Sequence, residues 1–492
     1  MGIKRWLATK NNTITNAFEA NLLTRGTGSN MGLSDSLEVF SIFGQASSSS
    51  LEATRFLVQF PVSSSDTGTT ILADRTAGKI PQSGSVSFYL RLFNVAHDQT
   101  TPREFTLVAE PVSQSWQEGY GLDMESYKDQ TYGGTGSNWI NARANTAWTI
   151  PGGDYLATPS YNQTFDVGTG DLEIDITNLV ERWITASADP THIENYGVGI
   201  RLTSSQENGN RSYYTKKFSA RGSEFFFKRP IIEARWDSTR KDQRGVFYVS
   251  SSALSAADNI NTIYFYNYFR GQLTNLPNVG TGGIFMSMFS QSSTGAELTT
   301  TPNQPVTGGW VSTGVYSASF ALNTNEEVVY DRWWSGSAGV PITDPSVVVY
   351  YTGSFKPIPF NSSPTFQTAE YISSMTNLKC EYYNEDVYDF RVYTRLKGWN
   401  PTIYTVATSG IQKHIIDNIY YRIYRVIDDF EVVPYGTGST NHTRLSYDVS
   451  GSYFKFDMSL LEVGFEYGIK LLFNLGGNFV EDENMYKFKI IE

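Results

Sequence analysis

The sequence of 492 residues holds a single cysteine, Cys380. No intrachain disulfide can form, so disulfide-stapled secreted scaffolds are excluded. Cys380 itself reads as a small buried apolar residue. Histidine is nearly as scarce. His97, His192, His414 and His442 are scattered, and no two have the spacing of zinc ligands. There is no G-x-S-x-G elbow, no H-E-x-x-H and no P-loop, so the chain reads as a non-enzyme without cofactor or metal. Charged residues make up only 18%, and their balance is −11, which repels a phosphate backbone and excludes nucleic acid as a partner. No apolar run reaches the roughly 18 residues of a membrane-spanning helix. The opening stretch, MGIKRWLATKNNTITNAF, also lacks the apolar run of a signal peptide.

What is present favours sheets. Hydrophobic residues reach 40% and aromatics 14%, enough for packed cores. Tyrosine, phenylalanine and β-branched residues favour strands, and glycine, asparagine and serine favour turns. Val86–Phe93 alternates, placing Val86, Phe88, Leu90 and Leu92 on one face. Leu172–Ile176 and Val198–Leu202 alternate in the same way. One short helix is predicted over Ile176–Ile184, capped by Thr177, with Leu179, Val180, Trp183 and Ile184 on one side.

A chain of this length needs several cores. The charge-dense run Asp237–Gly245 predicts one boundary, and the proline-rich run Lys356–Pro364 predicts another. The expected fold is all-β: three β-sandwich domains in series over 15–237, 246–356 and 366–492, preceded by a polar arm over 1–30. Thr262–Arg270, Gly283–Phe289, Gly314–Phe320, Glu327–Trp334 and Val347–Gly353 are the strands expected in the second segment. Val387–Arg395, Ile419–Ile427, Arg444–Phe456, Tyr467–Phe473 and Met485–Ile491 are those expected in the third.

In the first segment the motifs fall in a recognisable order. Thr54–Val62 is an apolar strand. Ser115–Trp116–Gln117–Glu118, Asn138–Trp139, Val180–Trp183 and Asn195–Tyr196–Gly197 follow, and Arg229–Pro230–Ile231 closes the segment. This order resembles the DNRLRE-type domain, a jelly-roll-like β-sandwich related to some carbohydrate-binding modules. It departs from that pattern in having Pro61 after Phe60, where the family has an acid. The third segment resembles immunoglobulin-like domains of structural proteins of tailed phages, and the second is also expected to be immunoglobulin-like. With the polar N-terminal arm, the missing signal and disulfides and the absent catalytic set, the second resemblance implies a structural protein of a tailed-bacteriophage virion, at the neck, tail or capsid surface. Its partners would be other virion proteins and further copies of itself.

Several residues stand out as candidates. Trp6, Leu7 and Phe18, with Ile3 and Ile14, would anchor the arm on a neighbouring subunit. Lys216, Lys217, Arg221, Lys228 and Arg229 form a basic patch able to meet an acidic neighbour. Trp333 and Trp334 are adjacent, so on a strand they face opposite sides, which would leave one for an interface. Trp116 and Trp139 read first as core residues; a glycan-binding adhesin or receptor-binding protein, recognising host surface sugars, would instead use them for stacking. Asp171, Glu173 and Asp175 alternate along one strand face; carboxylates so placed could bind calcium or serve as a glycosidase acid and base, but the row reads first as the solvent face of a half-buried strand.

Overall fold

The computed structural model describes residues 2–63, 66, 68–96, 102–122, 135–337, 339–359, 370–399 and 413–492. His97 and much of the second predicted boundary lie outside them. The chain divides into two compact units. One comprises Gly2–Asp237 with Thr437–His442, the other Ser238–Gly436 with Thr443–Glu492. Both are built almost entirely from antiparallel strands.

The first unit is a sandwich of strands β1 (Ile3–Leu7), β2 (Lys10–Thr15), β3 (Ser36–Phe43), β4 (Leu51–Gln59), β5 (Ser87–Leu92), β6 (Phe105–Pro111), β7 (Asn141–Arg143), β8 (Thr146–Ala147), β9 (Tyr161–Phe165), β10 (Leu172–Asp175), β11 (Val198–Leu202), β12 (Tyr213–Ser219) and β13 (Ile231–Arg235). One sheet runs β1-β13-β5-β10 and the other β12-β3-β4-β11-β6-β9. On one edge of β4, β3 covers the first half and β2 the second. The core between the sheets holds Phe56, Val58, Phe88, Leu90, Ile174 and Trp183. Phe88, Leu90 and Leu92 lie on the buried face that the alternation predicts.

The helix is there as well, over Thr177–Ile184, burying Leu179, Val180 and Trp183. Its N-terminal contacts differ from the expected cap. Asp175 Oδ1 accepts from the Thr177 N–H at 2.9 Å, while Thr177 Oγ1 accepts from the Phe88 N–H at 2.8 Å and ties the helix to β5.

The larger sheet is covered on both faces. Phe56 and Val58 of β4 point into the main core, and Leu57 between them packs with Val112, Trp116, Ala142 and Trp148. The chain between β6 and β9 therefore supplies a second, smaller core on the outer face. That layer explains why β11 is buried on both sides instead of alternating.

In the second unit, strands β14 (Asn261–Tyr266), β15 (Tyr268–Phe269), β16 (Gln272–Leu273), β17 (Ile284–Ser290), β18 (Glu297–Leu298), β19 (Thr300–Thr301), β20 (Val306–Ser312), β21 (Val315–Leu322), β22 (Val329–Ser335) and β23 (Val348–Phe355) lie within residues 261–355. The main path is β14-β21-β20-β17-β22-β23, with β18 and β19 beside it. β20 pairs with β17 through Val306–Gly308 and with β21 from Gly309 onward, so it turns the corner that closes the sandwich. Glycine is required at that corner, since a Cβ on Gly308 would sit 2.5 Å from the Ser317 carbonyl oxygen. Residues 371–491 form two further sheets. One joins Tyr371–Met375, Val387–Leu396, Gly451–Asp457 and Ser446–Asp448. The other joins Glu381–Tyr383, Tyr486–Ile491, Glu466–Leu475, Ile419–Arg425 and Phe430–Val433, with Asn478–Glu481 beside Glu466–Leu475. The rings of Tyr421, Phe454 and Phe390 stack through their shared core, 4.1 and 5.1 Å apart. Cys380, expected in a core, is exposed.

Candidate assembly surfaces

The N-terminal arm is not free to dock elsewhere. β1 pairs with β13 along its whole length, and β2 pairs with β4 over six residues. Trp6 is buried in the main core, and its Nε1 donates to Asp74 Oδ2 at 3.0 Å. Ile3 and Ile14 are fully buried. Phe18 is half-buried under the Arg25 guanidinium, 4.1 Å from its ring centre. Of the proposed anchors, Leu7 alone is largely exposed, at 41%. The arm read as solvated because Lys10–Thr15 is polar. Its asparagines are in fact buried and paired inside the unit. Asn12 Nδ2 donates to the Ser137 carbonyl at 2.8 Å and Asn12 Oδ1 accepts from the Met31 N–H at 2.9 Å. Asn11 Oδ1 accepts from the Arg221 N–H at 2.7 Å.

The basic patch is likewise spent internally. Lys216 is 2% exposed, and its Nζ donates to Asn94 Oδ1 and to the carbonyls of Gly168 and Gly170 at 3.0 and 2.9 Å. It also lies over the rings of Phe165 and Phe218. Burial pushes its ammonium down to about 8, so at pH 7 it stays protonated with three oxygens for its three N–H groups. Lys217 pairs with Glu38 at 2.7 Å, across the β12–β3 register. Arg221 grips Glu118 with two bonds, at 2.6 and 2.7 Å. Lys228 leans over the Phe225 ring, and Arg229 Nε donates to the Ser223 carbonyl at 2.9 Å.

The tryptophans are also inside. Trp116 is 3% exposed and donates to the Tyr196 carbonyl at 2.7 Å. Trp139, at 8%, packs on Ile14 and Ala53 beneath the Arg55 guanidinium. Neither presents a face to a sugar. Trp333 faces the main core of its sandwich, beside Phe265, and donates to Asp331 Oδ2 at 2.8 Å. Trp334 faces the other way, but Phe285, Phe289, Ile342 and Val347 cover it and its Nε1 donates to Ser287 Oγ at 3.2 Å. Adjacent tryptophans do take opposite faces. Both faces are buried here, so the expectation of an exposed one is corrected.

A charge cluster the sequence did not reveal lies on the β1-β13-β5-β10 sheet. Glu233, fully buried, accepts from Arg5 at 2.6 Å, Arg91 at 3.0 Å and Arg235 at 2.6 Å. Glu173 takes the remaining bonds of Arg91 at 3.1 Å and Arg235 at 2.6 Å. Against the cost of burial, the three guanidinium groups hold the Glu233 carboxyl well below the ordinary carboxylate range. The row Asp171–Glu173–Asp175 is exposed, as the alternation predicts, and two of its members also bond to neighbours. Asp171 accepts from the Asn94 N–H at 2.7 Å, and Glu173 belongs to the cluster. Among the described residues, no group of three or more His, Cys, Asp or Glu side chains is placed to hold a metal ion.

Two exposed features are apolar and strand-like. The β15–β16 hairpin carries Tyr268 and Phe269 at its tip, 62% and 61% exposed. Its turn, Arg270–Gly271, has positive φ at both positions, the geometry of a tight two-residue hairpin turn. Nearby, Trp310 is 40% exposed and held by a bond from Nε1 to Asn275 Oδ1 at 3.1 Å. The second feature is β23, an edge strand with no charged residue, most of whose side chains are exposed. Compared with known proteins, the chain matches no family model and no curated protein.

Proposed function

We propose that this chain is a structural protein of a tailed-bacteriophage particle, at the neck, tail or capsid surface. It works by non-covalent assembly with other virion proteins and with copies of itself. The observation that carries this reading is the division of surface chemistry. The charges and tryptophans first considered as contacts are consumed in holding the sandwiches together. The aromatic hairpin tip at Tyr268–Phe269 and the neutral edge strand β23 are left facing out. Exposed apolar tips and unguarded sheet edges are the features by which β proteins join other chains. The resemblance of the third segment to immunoglobulin-like domains of tailed-phage structural proteins supports the same reading, and the motif order from Thr54 to Ile231 supports the jelly-roll fold of the first unit.

Protein-level analysis of density-purified phage particles tests the proposal. The chain is expected in the particles at a fixed copy number relative to the major structural proteins. Its absence from them would overturn the reading. A glycan-binding adhesin acting through the first unit would need a platform other than Trp116 and Trp139.

A further inference from the structure

The main path of the sheet of residues 261–355 ends in two edge strands, β14 and β23, and the chain treats them differently. At β14 the open side is occupied by side chains. Asp242 Oδ1 accepts from the Tyr264 N–H at 3.4 Å, and Gln243 Oε1 accepts from the Thr262 N–H at 2.7 Å. Arg244 Nη2 donates to the Tyr264 carbonyl at 3.3 Å. A strand arriving there would have to displace all three. At β23 no described residue other than those of β22 hydrogen-bonds to the strand's backbone. A row of N–H and C=O groups is left for another strand.

The composition of β23 makes the same distinction. It reads Val348–Val349–Tyr350–Tyr351–Thr352–Gly353–Ser354–Phe355, with no charge and no proline. Several other edge strands carry charges that oppose edge-to-edge pairing, such as Lys4 and Arg5 on β1 and Glu173 and Asp175 on β10, and the neutral edges β9 and Tyr371–Met375 are shorter, at five residues each against eight in β23. Around β23 charged residues and prolines stand only outside the strand, at Asp344–Pro345 before it and Lys356–Pro357 after it.

We infer that β23 is a homotypic joint, where a second copy of this chain adds its own β23 antiparallel across a two-fold axis. The occupant follows from charge. Each chain carries −11, so two copies repel over most of their surfaces. A joint between them belongs where identical surfaces bring no charge together, and a neutral strand meeting itself does that. An antiparallel pair about a two-fold is self-complementary in its hydrogen bonds, and it joins two six-strand paths into one continuous sheet. The inference rests on the assembly reading above and names its partner.

Sedimentation velocity on the full chain, over a wide concentration series, tests it. The expected result is a dimer that Thr352→Pro weakens by roughly a hundredfold, because proline removes a ladder donor. Val349→Lys, which places like charges across the joint, is expected to act in the same direction. Thr262→Lys, at the capped edge, is expected to leave the dimer unchanged. Far-ultraviolet circular dichroism and thermal melts establish that each variant is folded. A wild-type chain that stays monomeric throughout, or a dimer that survives both β23 substitutions in folded protein, would overturn the inference. A monomer in solution that is nevertheless found in particles would sink the joint and leave the assembly reading standing. A dimer through β23 in a chain absent from particles would do the reverse.

Discussion

Arg5 Nε donates to Glu233 Oε2 at 2.6 Å across the β1–β13 pair, joining residues 228 positions apart in sequence. The bond fastens the start of the chain to the last strand of the first unit. Removing one partner of a buried ion pair leaves the other uncompensated, at a cost of about 3–5 kcal/mol. Glu233→Gln should therefore lower the unfolding free energy of the first unit by about that amount, as read by chemical denaturation of the full chain. A change below about 1 kcal/mol would contradict this role.

The same group sets an acid dependence. The Glu233 carboxyl lies below its ordinary value of 4.5 because Arg5, Arg91 and Arg235 surround it. A depressed carboxyl contributes stability that is fully present above the unfolded value and is lost as pH falls below it. Wild-type stability should drop as pH falls below about 4.5. The drop should be smaller in Glu233→Gln, when both are followed by melts across that range.

Lys216 titrates at the other end of the scale. Burial lowers its ammonium from 10.5 to about 8, so the penalty for carrying charge is fully present below about 8 and gone above 10.5. Between those values the unfolded chain binds the proton and the folded chain does not, so this group makes stability rise with pH. Comparing denaturation of the wild type and Lys216→Met from pH 7.5 to 10.5 isolates it. The difference between the two should shift in the wild type's favour as pH rises.

Asp242 gives the opposite sign for an acid. Burial raises its carboxyl from 3.8 to about 6, against the pull of Arg244. The cost of ionising it is absent below 3.8 and complete above about 6. Asp242→Asn keeps an acceptor for the Tyr264 N–H and should gain stability over the wild type as pH rises from 4 to 6. A gain that does not change with pH would contradict this account.

Trp333 separates core from contact. It is fully buried, and its indole bonds Asp331, which also receives Arg244 at 2.5 Å. Trp333→Phe removes that donor and leaves Asp331 Oδ2 short of a partner, which should cost about 1–3 kcal/mol in denaturation experiments. Sedimentation of the folded variant should be unchanged, because the side chain never reaches the surface.

The sheets were legible where one face meets the core and the other meets water. Ser87–Leu92 and Leu172–Asp175 alternate cleanly for that reason, and the helix carrying Trp183 shows its buried stripe directly. The candidate contacts were harder to read, because composition does not say what covers a residue. Lys10–Thr15 looks solvated, yet the layer between β6 and β9 buries its asparagines. Lys216 and Arg221 look like a patch, but each has partners distant in sequence, at Gly168 and Glu118. Glu233 could not be read as the centre of a cluster, since its three arginines come from three different strands. The edge at Val348–Phe355 was visible as a strand. Its lack of charge hid its place at an edge, since edge strands are usually marked by charge or proline.

Cryo-electron microscopy of purified particles, with this chain traced in the density, tests the assembly claim most directly. The account predicts density for both units among neighbouring subunits, with Val348–Phe355 paired to the same strand of a second copy. Particles that lack the chain altogether would contradict it.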